Sequence, residues 1–369
     1  MAELLKNIYN QEFLDGFADV ITEIIPDFDK LSFVQSILDN TWESRALKER
    51  MRHITLSLKA HLSGDFAQNV DNILRIIQQL QNKGVREESI EYMIFPDFIE
   101  VYGREDYTTS VNAFERITQF TSCEFAVRPF ILDSQDKMVD QMRLWSTHVH
   151  PMVRRLSSEG CRPRLPWAMA IPAFKKDPGP ILPILENLKN DTWESVRRSV
   201  ANNLNDISKD NPETVVHLAK KWKGHTKTTD WVVKHACRTL LKQGNPEVME
   251  LFGFGSIDEI EVRNHTILTP VVKMGDALRF SFALMNTSGS PSKIRLEYGL
   301  YYQKANGSLS KKIFMISERE YPPHSTTEIS RKQSFKRITT RKFYPGLHQL
   351  SIIVNGHEIK TVDFELTEA

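Results

Sequence analysis

The tetrapeptide TWES occurs twice, at Thr41–Ser44 and again at Thr192–Ser195, and each copy opens a charged, amphipathic stretch. Around the second copy prolines recur in DPGPIL (Pro178), DNPETV (Pro212) and GNPEVM (Pro246), 34 residues apart each time. A period of this length belongs to stacked helical pairs, in which one repeat cannot bury its apolar face without its neighbours. Such stacks build extended surfaces, so function becomes a question of what that surface holds.

Up to about Phe254 the apolar residues recur three and four apart, as in NVDNILRIIQQL and TVVHLAKKW. Asp191 before TWES, with Glu194 three residues on, reads as an Asp-type capping box. Gly160 and Gly244 read as helix stops. Four segments read as inner helices of successive repeats: EFAVRPFI, HPMVRRLSSEG, WESVRRSVANNL and WVVKHACRTLL. Setting Val196 against Val232 aligns Val200 with Ala236 and Leu204 with Leu240. The variable spacing between repeats points to a degenerate solenoid of HEAT type. From Ser256 the pattern changes to period two, in IDEIEV, ALRFSFALM, IRLEYGLYY, KIFMIS, QLSIIV and TVDFEL. Some seven short strands, with an Asn355-Gly356 hairpin near the end, argue an immunoglobulin-like β-sandwich. The expected organisation is multidomain, α then β: a HEAT-like α-helical solenoid over 1–254 and a β-sandwich over 257–369.

The net charge of +1 conceals an asymmetry. Residues 1–142 carry 14 Lys/Arg against 24 Asp/Glu, whereas residues 143–238 carry 17 against 9. A basic middle in a near-neutral chain fits a polyanion-binding groove; solvated helix faces are the plain alternative. No apolar run reaches the ~20 residues that span a bilayer. Cys123, Cys161 and Cys237 have no metal spacing and read as reduced thiols of a cytoplasmic protein. No Walker loop, GxGxxG, HExxH or GxSxG is present, so nucleotide, dinucleotide and zinc-hydrolase readings have no support. Neither a cofactor nor a metal is expected, and with no exposed heptad seam the chain reads as a monomer.

What remains are carboxylates and a tryptophan beside the basic helices. Glu124 opens SCEFAVRPF with Arg128 four residues on, which as plain structure is an i,i+4 ion pair. Glu159 and Asp206 end inner helices, where the helix dipole opposes a carboxylate. Trp167 lies in CRPRLPWAMAIP after Arg162 and Arg164; it reads either as packed under a loop or as an aromatic platform flanked by phosphate-binding cations. Trp193 and Trp231 read as repeat packing. His148 and His150 resemble metal ligands but lack a second cluster, so backbone or phosphate hydrogen bonding is their expected use. Arg128, Arg154, Arg155, Arg197, Arg198 and Lys234 follow the buried stripe and belong to an inner surface. In the sandwich, Arg331–Lys342 has six basic residues in twelve and no acid. It reads either as a solvated edge strand or as a second contact to phosphate, through Lys332, Lys336 and Arg337.

With these residues in view, the chain resembles the AlkC group of alkylpurine DNA glycosylases, related to AlkD. The resemblance is carried by LKERMRHIT, FTSCEFAVRPFI, HPMVRRLSSEGCRPRLPW, WESVRRSVANNLNDISKDNP and the C-terminal β-domain, which AlkD-like proteins lack. It implies hydrolysis of the N-glycosidic bond of cationic alkylated bases, 3-methyladenine and 3-methylcytosine, in double-stranded DNA. It also implies that Glu124, Glu159, Trp167 and Asp206 line the site, and that the lesion is reached without a conventional base pocket. In that scheme Asp206 and Glu124 face the deoxyribose and water, Trp167 packs on the sugar or lesion, and Glu159 supports the site or meets the cationic base. Arg154, Arg155, Arg162, Arg164, Arg197 and Arg198 hold the backbone. The rival readings are a non-catalytic HEAT-repeat scaffold and a structure-specific DNA-binding protein.

Overall fold

The computed structural model describes residues 4–338 and 341–368. Helices come first: α1 (Gln11–Ile24), α2 (Lys30–Ile37), α3 (Leu47–His61), α4 (Phe66–Asn82), α5 (Ile94–Tyr102), α6 (Tyr107–Ile117), α7 (Val127–Asp133) and α8 (Gln135–Trp145). They continue with α9 (Pro151–Gly160), α10 (Pro172–Lys176), α11 (Leu182–Leu188), α12 (Glu194–Ile207), α13 (Pro212–Trp222), α14 (Lys227–Ala236), α15 (Arg238–Lys242) and α16 (Pro246–Leu251). Strands follow: β1 (Ile260–Ile267), β2 (Val271–Lys273), β3 (Ala277–Asn286), β4 (Ser292–Gln303), β5 (Leu309–Tyr321), β6 (Ser325–Ser334), β7 (Gly346–Val354) and β8 (His357–Thr367). The chain packs into two compact units. One runs to Val215 and takes in Trp222–Ala236; the other holds Val216–Lys221 and the chain from Cys237 onward.

The proline period marks helix starts. Pro212 and Pro246 are the first residues of α13 and α16, and Pro178 precedes the 3-10 turn Gly179–Ile181 that leads into α11. Proline suits a first turn because its fixed φ is helical and its missing N–H would have no partner there. Within the first unit, α9, α12 and α14 pack side by side, and α11 backs onto α8, α9 and α12. Val196, Val200, Leu204, Val232, Ala236 and Leu240 are all buried. The stripe through α14 is broken after Ala236, however, and Leu240 falls in the separate α15.

The two TWES copies fold differently. Trp42–Ser44 forms an isolated 3-10 turn with Trp42 buried, and α3 begins only at Leu47. Trp193 is the N-cap of α12 and stays exposed. The Asp191 capping box does not form: the carboxylate accepts from Trp193 N (2.9 Å) and is gripped by Arg154, while Glu194 pairs with Arg198. Gly244 does take a left-handed conformation (φ 69°). Gly160 instead ends α9 as a packing residue, because a Cβ there would lie 2.7 Å from Val127 Cγ2. The small residue lets α9 close on α7.

The second unit carries a three-stranded sheet, β1-β3-β6, and a five-stranded sheet, β2-β8-β7-β4-β5, antiparallel except for β2 with β8. Alternate residues Leu278, Phe280, Phe282 and Leu284 of β3 join Leu296, Tyr298 and Leu300 of β4 and Leu350, Ile352 and Val354 of β7 in one core. Asn355 (φ 45°) and Gly356 (φ 81°) make the β7–β8 turn, with Val354 opposite His357. Two left-handed residues in succession are what a type I′ hairpin demands. Residues β6 and its loop hold the basic segment: Lys332 lies on the strand, and Lys336 and Arg337 follow it, all exposed. Among the described residues β6 borders β3 alone, an edge position. Thr339 and Thr340 of that segment lie outside the described residues.

Candidate functional site

The turn before α7 sets the position of Glu124. Because α7 starts only at Val127, Glu124 precedes the helix and its pairing with Arg128 does not form. Glu124 Oε2 instead accepts from Ser122 Oγ (2.8 Å) and from Arg155 of α9 (2.9 Å). Burial opposes the Arg155 charge, but Glu124 and Glu159 more than offset it and hold its pKa above the ordinary guanidinium value. Arg128 is 0% exposed and therefore does not present a cation to phosphate. Its Nη1 donates to Gly160 O (2.8 Å) and its Nε to Met169 O (2.7 Å). Burial pulls its pKa down to about 10, which still leaves it charged at neutral pH.

Glu159 and Asp206 each stand one residue before the end of a helix, α9 and α12 respectively, where carbonyl dipoles oppose a negative charge. Arg162, just beyond α9, resolves both conflicts. Its Nη1 lies 2.5 Å from Glu159 Oε1 and its Nε 2.8 Å from Asp206 Oδ2, with all three side chains buried. Burial again works against the Arg162 charge, and the two carboxylates outweigh it and raise its pKa. Lys209 covers the other Asp206 oxygen at 2.9 Å from a more exposed position. Arg162 is thus a buried bridge between carboxylates rather than a surface phosphate contact. Ser158 Oγ to Ser199 Oγ (2.7 Å) and Asn203 Nδ2 to Ser158 O (2.8 Å) fasten α9 to α12 beneath them.

Glu124, Arg155 and Glu159 line one cleft of about 630 Å³, together with Glu88, Ser122, Trp193 and Arg198. Asp206 does not line it; it is 2% exposed and joins the group through Arg162. Trp167 does not line it either; it stands on the loop between α9 and α10, 69% exposed, so it is not packed beneath that loop. Its φ of 64° lies in the left-handed region that a bulky L-residue avoids. Trp193 is 55% exposed and Trp231 stacks in the open on His235, so neither is a repeat-packing residue.

The remaining basic residues separate by partner. Arg154 makes a bidentate pair with Asp191 (2.6 and 3.0 Å) and donates to the carbonyls of His148 and Val149, which ties α9 to the start of α12. Arg197 donates to Asp191 O. Arg164 pairs with Asp210 (2.9 and 2.6 Å) at the surface, and Arg198 pairs with Glu194. Lys234 is exposed on α14. His150 caps α9 by accepting from Met152 N (3.3 Å), and His148 Nδ1 accepts from His150 N (3.0 Å). Among the described residues, no group of three or more His, Cys, Asp or Glu is placed to hold a metal, and no helix is long and apolar enough to cross a membrane. Ser122, Lys209 and Glu88 stand out in no motif of the sequence, and Trp193 reads there only as repeat packing. Only Lys209 left a signal there, as a cation three residues beyond Asp206.

Residues 17–240 match the family described as "DNA alkylation repair enzyme". The chain belongs to that family. Residues 261–368 match the C-terminal Ig-like domain of the uncharacterised protein YhaZ. Protein YhaZ of Bacillus subtilis, also uncharacterised, is 41% identical over 362 residues, 98% of this chain and 99% of that one. Among solved structures, this family member is similar to the Pseudomonas fluorescens alkylpurine DNA glycosylase AlkC bound to DNA containing an abasic site analog. The TM-score is 0.93 at 34% identity, over 99% of this chain and 100% of that one. The AlkC resemblance, and the order of helical repeats before an Ig-like sandwich, therefore hold along the whole chain.

Proposed function

We propose that the chain is a monofunctional DNA glycosylase that hydrolyses the N-glycosidic bond of cationic alkylated bases, 3-methyladenine and 3-methylcytosine, in double-stranded DNA. One observation carries the reading: Glu124 and Glu159 share a cleft with Arg155, and Arg162 couples Glu159 to Asp206. The DNA-bound AlkC relative supports DNA as the ligand. Residues 1–254 carry the reaction, and residues 257–369 assist binding through Lys332, Lys336 and Arg337.

The substrate base already bears a positive charge, so it leaves with little or no protonation. The C1′–N bond breaks, its electron pair neutralises the departing base, and positive charge develops on the sugar. Preorganised carboxylates stabilise that charge, as in glycoside hydrolysis. Water adds to C1′ and gives its proton to a carboxylate. Glu124 is the carboxylate of this set that opens onto the cleft closest to solvent, and Asp206 acts once Lys209 leaves its outer oxygen. Incoming phosphates compete for that exposed ammonium. Trp167 lies flat on the sugar or lesion, and no base pocket is used. Arg155, Arg164, Arg198, Lys234 and the His150 end of α9 meet the backbone.

The test is release of methylated bases from methylated duplex DNA, resolved by chromatography, for wild type, Glu124→Gln and Asp206→Asn. Loss of release in both variants, with duplex binding kept, is expected. Absence of release by folded, DNA-binding wild type would leave a scaffold.

A further inference from the structure

The LKERMRHIT block of α3 lies far along the chain from every residue in the reaction described above. Most of its polar members have local structural duties. Glu49 accepts from Ala46 N (2.7 Å) at the start of the helix. Arg50 donates to the carbonyls of Lys6 (3.2 Å) and Tyr9 (3.3 Å). Arg52 pairs with Asp97 and with Glu100, both at 2.8 Å. Lys48 is the exception, because its ammonium reaches across 119 residues to donate to the main-chain oxygen of Trp167.

The contact falls on the strained residue itself. Trp167 is held with φ 64° and an exposed indole, a conformation that persists only where its surroundings over-determine it. The loop is anchored on either side: Ile171 N donates to Pro163 O (3.1 Å), Ala168 N to Leu165 O (3.2 Å), and Arg128 Nε to Met169 O (2.7 Å). Lys48 grips the Trp167 carbonyl. The same ammonium stands 4.0 Å from the ring centroid of Phe125, the residue after Glu124. One cation therefore joins the segment that carries Trp167 to the segment that carries Glu124.

We propose that Lys48 is a positioning residue that latches the Trp167 loop and fixes it relative to Glu124. The inference rests on the glycosylase reading for its catalytic consequence, though not for the latch. A hydrogen bond to the Trp167 carbonyl favours the left-handed peptide over relaxed alternatives, and the aromatic contact sets where the loop sits.

The test uses the full chain with Lys48→Met, Lys48→Arg, Trp167→Ala and the Lys48→Met/Trp167→Ala double variant. Lys48→Met is expected to slow single-turnover excision roughly tenfold, the cost of a small misplacement of a reacting group, with duplex affinity unchanged. Lys48→Arg should restore most of the rate. In the Trp167→Ala background Lys48→Met should cost nothing further, since the loop then has no indole to place. Hydrogen exchange in the free protein should quicken across residues 166–171 in Lys48→Met alone. Unchanged exchange in Lys48→Met, or an equal rate loss in both backgrounds, would overturn the latch. If wild type releases no base, the glycosylase reading fails while the exchange measurement still decides the latch.

Discussion

Arg162 stands between Glu159 and Asp206, 2.5 Å from one carboxylate and 2.8 Å from the other, with all three side chains nearly out of solvent. Removing the central cation strands two buried anions. Arg162→Met should therefore destabilise the fold by about 3 kcal/mol, in the range for breaking a buried pair. Denaturant unfolding reads this. Adding Asp206→Asn to Arg162→Met should recover part of the loss, because one stranded charge then disappears. A double variant no more stable than Arg162→Met would mean that Lys209 already satisfies Asp206 alone.

Arginines of this basic region divide by burial into two predicted classes. Arg198 is exposed and paired at the surface with Glu194; Arg128 is enclosed and bonded to carbonyl oxygens. Arg198→Ala should leave thermal stability unchanged and lower the log–log salt slope of duplex binding by ~0.9, one phosphate contact. Arg128→Met should leave the slope alone and cost about 2 kcal/mol of stability, from lost charge-assisted hydrogen bonds. Salt titration and unfolding on both variants check the division.

Gly160 is fixed by packing. A methyl group there would meet Val127 Cγ2 at 2.7 Å and Met142 Cε at 3.0 Å. The methionine end can move, whereas the β-branched valine is stiff. Gly160→Ala should cost about 1–3 kcal/mol as an overpacked contact, against the gain in helix propensity. Val127→Ala added to Gly160→Ala should be less damaging than the two separate losses combined. Additive losses would refute the contact as the cause.

The order of helices and strands was legible because periodicity is local. Alternation in β3 and β7, proline at the starts of α13 and α16, and Asn355-Gly356 at the hairpin each act on neighbours in sequence. Partners distant in sequence were not legible. Asp191 looks like a cap, but Arg154, 37 residues away, competes for its carboxylate. Glu124 looks like a partner for Arg128 until the start of α7 turns one outward and the other inward. Arg162 to Asp206 spans 44 residues and Lys48 to Trp167 spans 119, separations at which spacing carries no geometric information.

His150 gives stability a pH dependence with a definite sign. Burial lowers its pKa below the ordinary 6.5, and its Nδ1 serves the fold by accepting from Met152 N, which requires the neutral ring. The unfolded chain therefore takes up this proton more readily than the folded one. The contribution is fully present above about pH 6.5 and is lost as pH falls through the lower folded pKa. His265 and His348 act in the same direction, since burial lowers both. Thermal unfolding between pH 7.5 and 5 should show a falling midpoint. His150→Asn, which caps without titrating, should make that fall shallower. An unchanged slope would remove His150 as a contributor.

Trp42 and Trp193 occupy the same place in the two copies of TWES, and substitution should separate them. Trp42 is 5% exposed with the Arg50 guanidinium 4.5 Å from its ring, so Trp42→Ala should cost about 3 kcal/mol of stability as a large-to-small core change. Trp193 is 55% exposed at the N-terminus of α12 and lines the cleft of Glu124 and Glu159. Trp193→Ala should leave unfolding unchanged and weaken duplex binding by about 1 kcal/mol, the low end for an aromatic contact with nucleic acid. Unfolding and binding on the pair distinguish the roles. Equal destabilisation would make Trp193 a packing residue and return the repeat to a purely architectural meaning; lost binding alone would mean that one copy of the tetrapeptide builds the fold and the other serves the site.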